Sequence, residues 1–133
     1  MLADDPLGAT RETPDDLGPY RRAFDELDAD PRQHLVVATI DSTVVGTAQL
    51  TVVVGLSRTA MARGLIEAVR IHRDARNAGL GTILIEWAVD QARRDGCGLV
   101  QLASDLSRTD AHRFYERLGF THSHAGYKRA LTD

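Results

Sequence analysis

The sequence predicts an α/β (α+β) fold, in which one mixed, mostly antiparallel sheet is flanked by helices on both faces. Two adjacent runs rich in β-branched residues in the first half are typical of an antiparallel hairpin. The second half alternates strands with helices, which is typical of α/β units. The chain has 133 residues, of which 43% are hydrophobic, as in one globular domain. We therefore expect residues 1–133 to form a single domain.

Charge and cysteine content narrow the classes of function. The chain carries 16 basic and 19 acidic residues, so a net charge of -3 gives no positive field to attract nucleic acid. Cys97 is the single cysteine and no apolar export signal opens the chain, which favours a reducing, cytoplasmic location. No apolar run approaches the roughly 20 residues that span a bilayer. We expect neither nucleic acid nor membrane as a partner.

The elements of the first half follow from local patterns. Residues 1–33 form an acidic lead-in with one short helix, predicted from the helical spacing of Tyr20, Phe24 and Leu27. His34–Ile40 and Thr43–Val54 are the arms of the hairpin. A loop from 56 to 64 then leads to a third strand.

The third predicted strand is Leu65–Ile71. Strict alternation places Glu67, Val69 and Ile71 on one of its faces and Arg70 on the other.

The second half begins with the most regular helical pattern in the chain, from Gly79 to near Gly96. A short buried strand, 99–102, follows. Ser107 and Asp110 have the spacing of a capping box, which predicts the start of a second helix that Gly119 ends. The tail from 120 to 131 is predicted to form two short strands around Gly126.

A glycine-containing loop lies between the third strand and its helix. The first turn of a helix offers unpaired N–H groups and a partial positive charge, and glycines let an anion approach the backbone. A dinucleotide motif would need glycine where Leu84 stands, and a P-loop would need a lysine that the loop lacks. The sequence therefore predicts a different phosphate-binding loop, formed by Arg76, Asn77, Ala78, Gly79, Leu80, Gly81 and Thr82.

The chain carries two motifs, the R-x-x-G-x-G pattern of Arg76, Gly79 and Gly81, and the Tyr-Glu-x-x-Gly-Phe run from Tyr115 to Phe120. Together they resemble the two signatures of the GCN5-related N-acetyltransferase (GNAT) family. The resemblance covers about residues 34–131. It implies acetyl-CoA as co-substrate, with its pyrophosphate in the loop 76–82.

The resemblance also implies roles for strand and helix residues. The backbone of Val69 and Ile71 would pair with the pantetheine arm, Tyr115 would face the thioester sulfur, and Glu67 matches a strand carboxylate that often serves as general base. An alkyl ammonium has a pKa of about 10.4 and must lose a proton before it attacks, and a thiolate leaves more readily when a phenol protonates it. Glu67 and Tyr115 are therefore the candidate base and acid.

Other interpretations of these two residues stay open. Glu67 is also placed to form an ion pair with Arg58 or Arg63, and Tyr115 lies on an apolar stripe where a core aromatic is common.

His122 and His124 lack a third ligand nearby, so no metal is expected. Compared with the family, the chain begins after the first strand, so we expect a truncated N-terminus with an exposed sheet edge.

The resulting hypothesis is an N-acetyltransferase that moves an acetyl group from acetyl-CoA directly to a primary amine of a small molecule or protein. Arg58, Arg63 and Tyr127 are candidate acceptor-site residues, and the arginines suit an amine that also carries a carboxylate. The alternative is a non-catalytic CoA-binding sensor or partner module with the same fold. By analogy with the family, a homodimer is the expected assembly.

Overall fold

The computed structural model describes residues 1–4 and 6–132, and the chain forms two compact units, Met1–Leu102 and Ala103–Asp133. The first unit contains helix α1 (Gly18–Ala29), strands β1 (Gln33–Ile40) and β2 (Thr43–Val53), the single turn α2 (Ser57–Ala60), strand β3 (Arg63–Ile71), helix α3 (Leu80–Arg94) and strand β4 (Leu99–Gln101). The second unit contains helix α4 (Thr109–Arg117). Three short 3₁₀ helices occupy Leu2–Asp4, Gly8–Thr10 and Arg73–Ala75.

The predicted hairpin is confirmed. β1 and β2 pair antiparallel up to Ile40 opposite Thr43. Asp41 and Ser42 form the turn between them, with positive φ angles of 47° and 66°. A two-residue turn of this kind matches the twist of the flanking strands.

The sheet has the order β1-β2-β3-β4. β3 pairs antiparallel with β2 and parallel with β4, so the predicted mixed, mostly antiparallel sheet is confirmed. The parallel pairing covers only Arg63–Leu65 of β3. Beyond Leu65, no strand among the described residues pairs with this edge of β3. In the part of the chain that the structure describes, its outward backbone N–H and C=O groups beyond Leu65 are therefore not paired with a strand.

Helix α3 covers one face of the sheet and supplies half of the core. Gly64 on β3 permits the close approach, because a Cβ at this position would lie 3.1 Å from the Cβ of Ala92. The buried apolar residues are Val45, Ala48, Leu50 and Ile66 on the sheet and Leu84, Ile85, Ala88 and Ala92 on the helix.

Helix α1 lies on the opposite face. Its residues Ala23 and Leu27 line a groove together with Gln33 and Gln49. Gln49 stands between Ala48 and Leu50 on β2, and both of these are buried on the α3 side, so Gln49 points away from α3. Helices thus flank both faces, as predicted, and the short helix expected in the acidic lead-in is α1.

Two details of the predicted second half are wrong. α4 begins at Thr109 without a side-chain cap, because the Ser107 hydroxyl donates to Asp105 at 2.6 Å and does not cap the helix. The tail contains no strand within residues 121–132, all of which are exposed. A strand needs a hydrogen-bonding partner, which the alternation of side chains alone does not provide.

Candidate functional site

The loop 76–82 leads from β3 into α3 through two left-handed residues. Asn77 has φ 64°, and Gly79, the N-cap residue of α3, has φ 81°. The N–H of Ile83 donates to the Gly79 carbonyl at 3.2 Å and begins the helix. No side chain caps this end, so the first-turn amides face outward. This is the geometry of an anion site at a helix N-terminus.

The space in front of this helix end is open. A Cβ built on Gly79 would meet nothing within 4 Å, and the loop is exposed from 76 to 79. The first turn of α3 contains no acidic residue, and its last turn carries Arg93 and Arg94. The helix dipole is therefore unopposed at the N-terminus, which favours a bound anion.

Arg76 adds a positive charge at the entrance of the loop. Its Nε donates to the Ile71 carbonyl at 3.2 Å, so the guanidinium is attached to the end of β3. The terminal nitrogens of an arginine held in this way present a planar fork that matches phosphate oxygens. The residues present thus fit a pyrophosphate.

A bulge interrupts β3 where it approaches this loop. Thr47 of β2 pairs with Arg70 and Gln49 pairs with Glu67, so Ala68 and Val69 both lie opposite the single residue Ala48. Ala68 adopts a left-handed conformation with φ 52°. For an alanine this costs roughly 1–2 kcal/mol.

The bulge corrects the predicted faces of β3. Ile66 is buried on the α3 side, and Ile71 lies on the same side, because its Cδ1 would be 3.0 Å from a Cβ on Gly46. Strict alternation predicted that Ile71 shares the face of Glu67, which is wrong, since the extra residue shifts the period by one. Arg70 is therefore on the face of Glu67, away from α3.

Val69 and Ile71 lie where the free edge of β3 passes the bulge. The Val69 carbonyl accepts from Arg70 Nη1 at 2.9 Å, and the Ile71 carbonyl accepts from Arg76 Nε. Each carbonyl keeps a second lone pair. Backbone pairing of an extended ligand with this edge stays a prediction.

Glu67 is exposed and stands directly opposite Gln49. Across the described residues it forms no ion pair with Arg58 or Arg63, so that alternative does not explain its position. Arg63 instead donates to the Gln101 side chain at 3.4 Å. The role of Glu67 as general base stays a prediction.

The two arginines expected in the acceptor site lie near the start of β3. Arg63 is its first residue, four positions before Glu67. Arg58 belongs to the turn α2, where Arg58, Thr59 and Ala60 all have positive φ angles between 56° and 60°. Three consecutive left-handed residues without glycine are rare, and such strain is concentrated at functional segments.

A groove of about 340 Å³ lies on the α1 side of the sheet, and its lining includes Gln49, the residue that pairs with Glu67. One of its lining residues is Asp30, whose pKa is lowered mainly by the hydrogen bond that the backbone N–H of Arg32 donates to its carboxylate. The sequence analysis did not predict that one face of α1 forms a wall of this groove. The helical spacing of Ala23, Glu26 and Leu27 is the signal that could have indicated this face. The lining residues are Ala23, Glu26, Leu27, Asp30, Gln33 and Gln49.

The second unit carries Tyr115 and Tyr127. Tyr115 is half-buried on α4, and its ring makes edge contacts with Phe114 and Phe120, with centroids 5.1 Å and 5.9 Å apart. Gly119, with φ 89°, ends the helix as predicted. Tyr127 is 94% exposed in the strand-free tail. The aromatic contacts orient the Tyr115 ring and accord with either interpretation of this residue.

Neither a metal centre nor a membrane span is found in the part of the chain that the structure describes. No group of three or more His, Cys, Asp or Glu side chains there is arranged to hold a metal ion. No helix within residues 1–4 and 6–132 has the length and apolar character needed to cross a bilayer.

Comparison with known proteins agrees with this geometry. The chain is 32% identical over 116 residues to aminoalkylphosphonate N-acetyltransferase of Salmonella typhimurium. The aligned region covers 87% of this chain and 75% of that enzyme. It is 43% identical to a transcriptional regulator from Bacillus halodurans C-125, whose crystal structure superposes with a TM-score of 0.94 over 98% of this chain and 89% of that one. An acetyltransferase of Trypanosoma brucei is 26% identical, with a TM-score of 0.72 over 90% and 81%.

A model of the Acetyltransferase (GNAT) family matches residues 3–120. This range includes the sheet, the loop 76–82 and helix α4. The chain therefore belongs to the GNAT family of acetyltransferases.

Proposed function

We propose that residues 1–133 act as one catalytic domain that transfers an acetyl group from acetyl-CoA to a primary amine. The observation that carries this proposal is the uncapped first turn of α3, which follows β3 after a short connection, residues 72–79. Among the described residues, the edge of β3 has no partner strand beyond Leu65. The N-terminus of α3 suits an anion, and the unpaired edge of β3 suits an extended chain with amide groups. Acetyl-CoA has both features, because a pyrophosphate at one end is joined to an amide-containing arm at the other.

On the donor side, the loop residues hold the pyrophosphate. Backbone amides of Gly79, Leu80, Gly81 and Thr82 donate to its oxygens, and Arg76 supplies a permanent positive charge. Asn77 and Ala78 shape the loop. Val69 and Ile71 present backbone groups to the pantetheine arm. Acetyl-CoA supplies the activated acetyl thioester.

On the acceptor side, Glu67 takes a proton from the ammonium group, directly or through water, so that the amine attacks as its neutral form. The Tyr115 hydroxyl donates a proton to the departing thiolate. Burial, together with the negative charge of Asp95, raises the pKa of the Cys97 thiol, which supports direct transfer without an acyl-cysteine.

We further propose Arg58, Arg63 and Tyr127 as residues that bind the rest of the acceptor. The related enzyme from Salmonella typhimurium is an aminoalkylphosphonate N-acetyltransferase, and its name describes an amine that carries an anionic group. Arginine recognises such a group by paired hydrogen bonds. A reducing, cytoplasmic setting agrees with the lone Cys97, and the homodimer stays a proposal by analogy.

The proposal is tested by product analysis with a panel of primary amines. The purified chain is incubated with acetyl-CoA and aminoalkylphosphonates, amino acids, diamines or lysine-containing peptides, and the acetylated amine is detected by mass spectrometry. We expect an acetylated product and CoA release above hydrolysis, with anionic amines preferred and their KM raised by Arg58→Ala and Arg63→Ala. Binding of acetyl-CoA without acetylation of any amine would instead support the non-catalytic CoA-binding module.

A further inference from the structure

The sheet ends at β1, and no strand among the residues that the structure describes pairs with the outer edge of this strand. The Val52 N–H donates to the Arg32 carbonyl at 2.8 Å, which directs the even-numbered residues of β1 toward β2. The backbone N–H and C=O groups of Gln33, Leu35 and Val37 therefore point outward. This row of hydrogen-bonding groups is a template for one more strand.

β1 lacks the features that usually protect a free edge. Between Gln33 and Ile40 the sequence contains no proline and no Lys, Arg, Asp or Glu. His34 is the one titratable residue of the strand, and its Nε2 donates at 2.8 Å to Asp95 at the end of α3. The register shift between β1 and β2 puts the extra residue, Val45, on β2, so β1 itself continues without an insertion.

Large apolar side chains are exposed on the face of the sheet that borders this edge. Leu35 pairs with Gln49, which points away from α3, and Val37 is two residues further along β1 on the same face. These two side chains are 43% and 56% exposed. Helix α1 lies on this face, and its Phe24 is 51% exposed. One copy of the chain thus leaves apolar surface of β1 and α1 uncovered.

The strand that fits this edge best is β1 of a second copy. Two β1 strands related by a two-fold axis run antiparallel, so their outward backbone groups face each other and no like charges meet along the strands. Arg32, which bonds Asp30 through its Nε, precedes β1, and Asp41 follows it. The antiparallel arrangement brings Arg32 of one copy near Asp41 of the other at both ends. The strand at the opposite end of the sheet, β4, has only three residues and offers no comparable edge.

We propose that β1 is the interface of a homodimer, in which it pairs antiparallel with β1 of a second copy and joins the two sheets into one continuous sheet. The inference rests on the proposed function only for the homodimer expected by analogy, to which it assigns a surface. An interface of this type uses the same patch on both copies and closes after two of them, so the assembly is a dimer and not a fibre.

Sedimentation equilibrium of the purified chain, without cofactor or amine, tests the proposal. We expect twice the chain mass of 14.6 kDa at micromolar protein concentration. Val37→Lys puts a positive charge on the edge of both copies and should raise the dimer dissociation constant at least 100-fold, with an unchanged circular dichroism spectrum. Leu106→Lys is the matched control, because Leu106 is 82% exposed and lies outside β1, and it should change this constant less than twofold.

Chemical cross-linking tests the pairing itself. Cys97→Ser removes the single cysteine, and Val37→Cys then puts one thiol on the edge. In an antiparallel pair centred on Val36 or Val37 the two thiols are diagonal or directly opposite, within about 8 Å, so a short bismaleimide should link most of the protein into covalent dimers. Val54→Cys in the same background should give few, although Val54 is 66% exposed, because it lies beyond the end of β2.

A monomeric wild-type chain, an open-ended assembly or a dimer that persists in Val37→Lys would overturn the inference, and so would equal cross-linking at positions 37 and 54. None of these measurements uses acetyl-CoA. A dimer of this kind without acetyltransferase activity would therefore count against the proposed function and leave the β1 interface in place.

Discussion

Gly79→Glu is expected to weaken acetyl-CoA binding by about 100- to 1000-fold. The substitution puts a carboxylate in the open space before the first turn of α3, where the pyrophosphate is proposed to bind. Two like charges about 4 Å apart repel by roughly 4 kcal/mol at the effective dielectric of a protein surface, which corresponds to the upper end of the expected loss. Calorimetric titration with acetyl-CoA measures the effect.

Gly96→Glu provides a matched control for this variant. Gly96 also has a left-handed backbone, with φ 78°, and a Cβ there also meets nothing within 4 Å. It lies beyond the C-terminus of the same helix, so the new side chain brings the same charge and the same backbone strain away from the loop. Equal affinities of the two variants would contradict the assignment of the loop 76–82.

Tyr115→Phe and Glu67→Gln are each expected to lower kcat by about 100-fold or more, with little change in the Kd for acetyl-CoA. General acid or base catalysis typically contributes factors of about 100 to 10,000. Phenylalanine retains the ring contacts with Phe114 and Phe120, and glutamine keeps the shape of Glu67 without its charge. Steady-state kinetics with an accepted amine, beside acetyl-CoA titrations, separates the two quantities.

Tyr20→Phe is the control for loss of a phenol in this experiment. The Tyr20 hydroxyl donates to Glu12 at 2.7 Å in the N-terminal segment, and it plays no part in the proposed chemistry. We expect the kcat of Tyr20→Phe to stay within about twofold of the wild type, because the lost hydroxyl bonds only to residues of the N-terminal segment. If Tyr115→Phe also keeps full kcat, Tyr115 is a core aromatic and not the acid.

Features that depend on neighbouring residues were predictable from the sequence. The glycines at 79 and 96, the helical apolar spacing between them and the uncapped N-terminus are local signals, and α3 follows them closely. The hairpin was predicted for the same reason, because its turn and its β-branched arms are adjacent. The loop 76–82 was predictable for the same reason, because its conformation depends on residues that are adjacent in the sequence.

Features that depend on distant contacts were not predictable. Nothing in alanine signals a left-handed residue, so the bulge at Ala68 and the resulting position of Arg70 were missed. The wall formed by α1 needs the packing of that helix against β1 and β2. The tail was predicted to form two short strands around Gly126, yet residues 121–132 contain no strand. Ser107 has a nearer acceptor in Asp105, which outcompetes the helix end.

The most direct test of the central claim is an amide map of acetyl-CoA binding, obtained from ¹⁵N–¹H correlation spectra of the wild-type chain during titration. The account predicts that the largest shifts fall on the amides of Gly79, Gly81 and Thr82 and on Val69 and Ile71 along the free edge of β3. A folded chain whose spectrum does not change, or whose shifts lie only outside the loop 76–82 and β3, would contradict it.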